Sequence, residues 1–215
     1  MIARITVSFI ILAVFMIGCI KRVERPPRMD STRYFPLSEG DAFVYTATPG
    51  EAIVTRQIDN LFTKTYYDSA GNEQAWEDYI LRNDGVYLNN LAFGDARLPA
   101  VHFIPSLPFS PWSDFVGDTL LVTATEIRSD SVNSHLRIQV EYEIMAVERV
   151  TTPAGTFEDC IKVRMAYTPL GDAGQRLIAP EIYRWFAPDV GIVKFQTTLV
   201  TGELTRAVVG GFVYP

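Results

Sequence analysis

From Leu136 to Ile144 the chain alternates strictly. Leu136, Ile138, Val140, Tyr142 and Ile144 are apolar or aromatic, and Arg137, Gln139, Glu141 and Glu143 lie between them. A period of two describes a strand with one buried and one wet face. Ile161, Val163, Met165 and Tyr167 repeat the pattern against Cys160, Lys162 and Arg164. Thr152-Pro153-Ala154-Gly155 lies between the two runs and predicts a hairpin turn. Similar runs predict strands over 42–48, 53–59, 62–68, 76–82, 86–93, 120–128, 182–186, 192–199 and 204–212. Ser69-Ala70-Gly71-Asn72, Asn83-Asp84-Gly85, Asp189-Val190-Gly191 and Gly202 punctuate them as turns. No long stretch carries a helical period. The expected fold is all-β: a strongly curved antiparallel meander, a barrel or half-barrel, which must close or cover its edges.

Residues 98–118 break the pattern. Pro99, Pro105, Pro108 and Pro111 exclude a central strand on this reading, because proline cannot donate to a ladder. The same segment holds Phe103, Phe109, Trp112 and Phe115. Two roles stand open for these rings. They plug one end of the sheet, or they form a lid over a ligand pocket and are its candidate binding residues.

The first residues change the picture. Arg4 is followed by an apolar run, 5–16, that ends in Met16-Ile17-Gly18-Cys19. A run this short, with a basic start and a small-residue exit, is the pattern of a cleaved export signal. A spanning helix needs about 20 apolar residues, and Lys21 and Arg22 arrive too soon. The cysteine and Gly18 resemble the lipobox of bacterial lipoproteins. That resemblance implies lipid attachment at Cys19, and anchoring of the mature chain to a membrane. Met16 stands where leucine is usual. Residues 20–33, with Pro26-Pro27 and five basic side chains, read as a tether. The expected organisation is a signal peptide over 1–18, a lipidated tether over 19–33 and one β domain over 34–215. Ile20, in place of an aspartate after the cysteine, directs such a protein to the outer membrane in the enterobacterial sorting rule.

The formal net charge is −6, and loss of Arg4 with the leader makes the mature chain more acidic. An acidic chain without a basic block argues against a nucleic-acid partner. Lipidation of Cys19 leaves Cys160 without a disulfide partner, and it reads as a small buried residue.

Catalytic chemistry is sparse. His102 and His135 are the only histidines, and nothing around them has metal-ligand spacing. Asp130, Ser131 and His135 sit in a polar turn, which is not the geometry of a triad. Glu77-Asp78 and Glu141/Glu143 read as wet-face positions of strands, not as an acid–base pair. Gly171 and Gly174 read as a hairpin tip. The expectation is a non-enzyme with no metal and no cofactor.

Three motifs carry a family resemblance. They are 34–41 (YFPLSEGD), 150–160 (VTTPAGTFEDC) and 184–194 (RWFAPDVGIVK). In this order they resemble a loose family of exported bacterial proteins, many of them lipoproteins, without a characterised function. The resemblance implies a β-rich fold similar to the barrels and half-barrels of periplasmic lipid and lipoprotein carriers. The motifs themselves read as turns and packing positions. The expected function is an envelope lipoprotein, bound to the membrane through its N-terminal lipid, that binds an apolar ligand such as a lipid, or an envelope protein. The alternative is an assembly scaffold, with a hydrolase using Ser131 or Glu143 ranked behind both.

Overall fold

The computed structural model describes residues 29–47, 50–93, 100–129, 135–171 and 181–215. The leader, Cys19, the tether as far as residue 28, Asp130, Ser131 and Gly174 lie outside them.

Among the described residues thirteen strands follow in order: β1 (Ala42–Tyr45), β2 (Glu51–Ile58), β3 (Leu61–Tyr67), β4 (Glu73–Arg82), β5 (Gly85–Phe93), β6 (Val101–Pro108), β7 (Thr119–Arg128), β8 (His135–Thr152), β9 (Gly155–Pro169), β10 (Glu181–Ala187), β11 (Gly191–Thr197), β12 (Thr201–Val209) and β13 (Phe212–Tyr214). Each pairs antiparallel with the next, and β1 also pairs with β12 through Ala42–Val208 and Phe43–Ala207. The result is a closed all-β barrel of twelve strands, with β13 added to the edge of β12 beyond its pairing with β11. Closure removes the sheet edges that an open meander would expose.

Alternation selects the inner face. Phe43, Val54, Phe62, Tyr79, Leu88, Leu107, Ile144, Val163, Phe186 and Leu204 are all buried in one core. One long hairpin overshoots the wall. The distal part of β8–β9 packs over β11 and β12, where the Ala154 N–H donates to Leu204 O at 3.0 Å. Phe157 meets Tyr214 there, with ring centroids 6.1 Å apart. Cys160 is fully buried in this hairpin, and desolvation pushes its thiol up to about 12.

Two expectations need correction. The proline-rich segment does contain a central strand, β6. Pro105 within it is tolerated because the ladders stop around that residue. Val101–Ile104 pair with β7, and pairing with β5 has a gap between His102 and Leu107, so Pro105 falls where no ladder bond is needed. The last predicted run is also two strands, since Gly210 and Gly211 turn with positive φ between β12 and β13.

The chain enters the barrel from one end. A single 3-10 turn over Ser31–Tyr34 begins at Asp30, whose carboxylate accepts from the Thr32 N–H at 3.1 Å. Ser31 is buried, and its hydroxyl donates to Asp84 O at 3.3 Å. Arg33 clamps Asp189 at 2.9 Å. Residues 29–33, read from sequence as part of the tether, thus pack on the barrel end.

Candidate functional site

The end where the chain enters is sealed by aromatic rings. Phe35 follows the 3-10 turn and Phe109 follows β6, and they stack with centroids 4.9 Å apart. Tyr79 lies 5.0 Å from Phe35 and 4.7 Å from Phe109, and Phe186 approaches both at 6.3 Å. These offset and edge-on contacts suit the ring quadrupoles.

The opposite end differs. There β3 passes into β4 through 68–72, and β11 into β12 through 198–200. In the β3–β4 and β10–β11 hairpins, burial thins toward this end. Tyr66, Ala75, Ile182, Phe195 and Thr197 face inward yet are only half-buried.

Between plug and mouth, charged side chains stand within the apolar interior. Lys64 faces inward between Phe62 and Tyr66 and is 2% exposed. Its ammonium lies 4.2 Å from the Phe43 centroid, 5.4 Å from Tyr45 and 5.5 Å from Tyr66. Three ring faces partly replace lost hydration. Burial still dominates and brings the Lys64 ammonium down to about 8, with Glu77 opposing the shift.

Glu77 is the register partner of Lys64 across β3–β4. Its Oε2 accepts from Tyr66 at 2.7 Å and from Tyr79 at 2.5 Å. Arg184, from β10, is stacked on the plug with its guanidinium 4.4 Å from the Phe109 centroid, and it also touches Met165 Sδ. Desolvation raises the hydroxyls of Tyr45, Tyr66, Tyr79, Tyr142 and Tyr167, each to a degree that the charge of Arg184 reduces. These groups therefore share one interior. Nearer the mouth Glu126 pairs with Arg128 at 2.8 Å, both largely buried.

Three of the four expected ligand-binding rings lie in or against one core, and the fourth does not. Phe103 is a core residue of β6, and Phe109 is in the plug. Trp112 packs edge-on against Tyr142 at 5.9 Å. Phe115 is 52% exposed.

The glutamates divide. Glu141 and Glu143 lie on the outer face, where Arg164 bridges both to Glu181. Glu77, expected on a wet face, points inward. Its outer neighbour Asp78 links Thr63 and Asn90, and Asn90 in turn meets His102. Among the described residues no group of three or more His, Cys, Asp or Glu could hold a metal ion. No helix there is long and apolar enough to cross a membrane.

The fold is that of a closed antiparallel barrel with a sealed end and a charged interior. Residues 118–205 match the family described as DUF3108-like. The chain is also similar to two crystal structures. One is a "putative lipoprotein" from Parabacteroides distasonis, 17% identical, with a TM-score of 0.51, over 83% of this chain and 100% of that one. The other is a "putative exported protein with YmcC-like fold" from Bacteroides fragilis, 18% identical, with a TM-score of 0.50, over 80% of this chain and 97% of that one. At such identities the likeness concerns the fold. No curated protein matches the chain.

Sequence reasoning missed Lys64, Glu77 and Arg184 as interior residues. The signal was present in the alternation: each shares parity with a buried neighbour, namely Phe62, Tyr79 and Phe186.

Proposed function

We propose that this chain is a lipid-anchored lipoprotein of the bacterial envelope whose barrel takes up an apolar or amphipathic ligand without catalysing its conversion. One observation carries the reading: the barrel is sealed by rings at one end, while its inward-facing residues lose burial toward the other. Concave sites with apolar walls and a few convergent polar groups are the usual form of small-molecule sites. The lipobox at Cys19 supports anchoring, and Ile20 supports the outer membrane as destination in a two-membrane cell. The names of the two structural neighbours are consistent with export. The non-catalytic reading is supported by the interior chemistry, where two tyrosines occupy the carboxylate of Glu77.

Native mass spectrometry of the full chain after mild detergent extraction is the test. A co-purifying lipid of defined mass is the expected result. A chain that carries nothing, and takes up nothing when lipids are supplied, rejects the reading.

A scaffold role is the second reading. Phe115, Val116 and Leu121, at the start of β7, leave large apolar side chains in water. In-cell crosslinking from position 115 to one specific envelope protein would favour it.

A further inference from the structure

Among the described residues, the charged groups of the interior are unevenly partnered. Each interior carboxylate is engaged: Glu77 by Tyr66 and Tyr79, Glu126 by Arg128, and Asp41 by the N–H groups of Ser38 and Gly210. The cations are not matched in the same way. Among the described residues, Lys64 meets ring faces but no oxygen acceptor, and Arg184 meets only a ring and a thioether. The Tyr142 hydroxyl is buried with no partner. Buried donors of this kind cost free energy unless something accepts from them.

We propose that the interior ligand is an amphiphile with an anionic head group, a carboxylate or a phosphate. The head lies on the plug between Lys64, Arg184 and Tyr142, and the chain runs toward the mouth past Phe195 and Ile182. The inference rests on the proposed binding role and specifies its ligand. Arg184 is fixed at the inner surface of the plug by Phe109, so the charged end sits deepest. The half-buried Ile182, Phe195 and Tyr66 offer the apolar path outward. A negatively charged head supplies acceptors to all three groups, and charge-assisted bonds are the stronger kind.

Three labelled probes with the same sixteen-carbon chain separate the outcomes: palmitate, 1-palmitoyl-lysophosphatidate and hexadecanol. Binding is measured on the intact chain in dodecyl maltoside by equilibrium gel filtration. The expected result is retention of one or both anions at least about tenfold tighter than the alcohol, the difference that one charge-assisted bond supports. Palmitate alone assigns a carboxylate, and the lysophosphatidate alone assigns a phosphate head. Equal retention of hexadecanol overturns the head-group inference and leaves the binding role standing. Retention of none overturns both. Lys64→Met and Arg184→Met should each reduce the preference for the anion over hexadecanol about tenfold, with Arg184→Lys recovering part of the loss. Circular dichroism establishes that the variants fold, and the wild-type comparison decides the matter without them. Anion retention unchanged in both folded Met variants overturns the assignment of these two residues.

Discussion

Lys64 and Glu77 face each other across β3 and β4 inside the barrel, yet no ion pair joins them. Tyr66 and Tyr79 hold the carboxylate, and three rings hold the ammonium. Taking a charge out of water costs several kcal/mol, and ring faces return only part of it. Lys64→Met should therefore stabilise the fold by about 1–3 kcal/mol, read as a higher urea midpoint at unchanged slope. Glu77→Gln should destabilise it by about 2–3 kcal/mol, because two buried tyrosines lose a charged acceptor and Lys64 loses its compensating charge. In the Lys64→Met background the same change should cost less. Additive effects would show that the two charges do not sense one another.

Stability should depend on alkaline pH in a defined order. Lys64 falls from 10.5 unfolded to about 8 folded, so over that window the unfolded chain binds the extra proton and stability rises with pH. Cys160 rises from 9.0 to about 12, so the folded chain holds its proton longer and stability falls from pH 9 upward. The buried tyrosines, raised from 10.0, act in the same direction above pH 10. The urea midpoint should climb from pH 8 to 9, level off to pH 10 and then drop. Lys64→Met should remove the climb and leave the drop. A climb that survives the substitution would assign it to another group.

Much of the fold was legible because alternation is a local property. Leu136 to Ile144, or Ile161 to Tyr167, sort their side chains by parity alone. Closure was not legible, since nothing in β1 or β12 states that Phe43 and Ala207 will pair. β6 was hidden by Pro105, which is compatible with a strand only because both neighbouring ladders pause there. The candidate site was hidden by residue type. Lys64, Glu77 and Arg184 have inward parity, but charged residues are almost never fully buried unless paired, so a wet face was the natural reading. Glu77 and Asp78 show the consequence: adjacent carboxylates, one inside and one outside.

The plug and lid readings of the aromatic segment separate by mutation. Phe109 touches Phe35, Tyr79 and Phe186 and is nearly fully buried. Phe109→Ala should cost about 3–5 kcal/mol in urea unfolding. Phe115 is exposed, and Phe115→Ser should stay within about 0.5 kcal/mol of the parent. If Phe115→Ser instead weakened retention of a bound amphiphile, that ring would belong to a lid.

Gly202 and Phe195 face each other on β12 and β11. A Cβ on Gly202 would come within 2.2 Å of the Phe195 ring. Neither atom set can yield cheaply, since one is backbone-fixed and the other lies against Tyr45 at 5.6 Å. Gly202→Ala should cost about 1–3 kcal/mol by overpacking. Adding Phe195→Ala should recover much of it, giving a coupling of about 1 kcal/mol or more in a double-mutant cycle. Independent losses would mean that the ring moves aside without consequence.

Anchoring is tested at Cys19. Lipid attachment by a thioether needs that sulfur, and in the lipoprotein pathway cleavage follows lipidation. Cys19→Ala should block both steps. The precursor should keep residues 1–18, run larger on a gel and incorporate no labelled fatty acid. The barrel should unfold at the same urea concentration as the parent, because the first described contacts begin at Met29, ten residues further on. A soluble form should therefore start no later than Met29 behind an ordinary export signal. Starting after Ser31 would remove the Asp30 cap of the 3-10 turn and the bond from Ser31 to Asp84, at about 1–2 kcal/mol. Cys160→Ala should show the reverse pattern, with normal processing and a packing loss of about 1 kcal/mol in the buried hairpin. Labelled fatty acid on the Cys19→Ala chain would place the lipid elsewhere and remove the basis of the anchoring proposal.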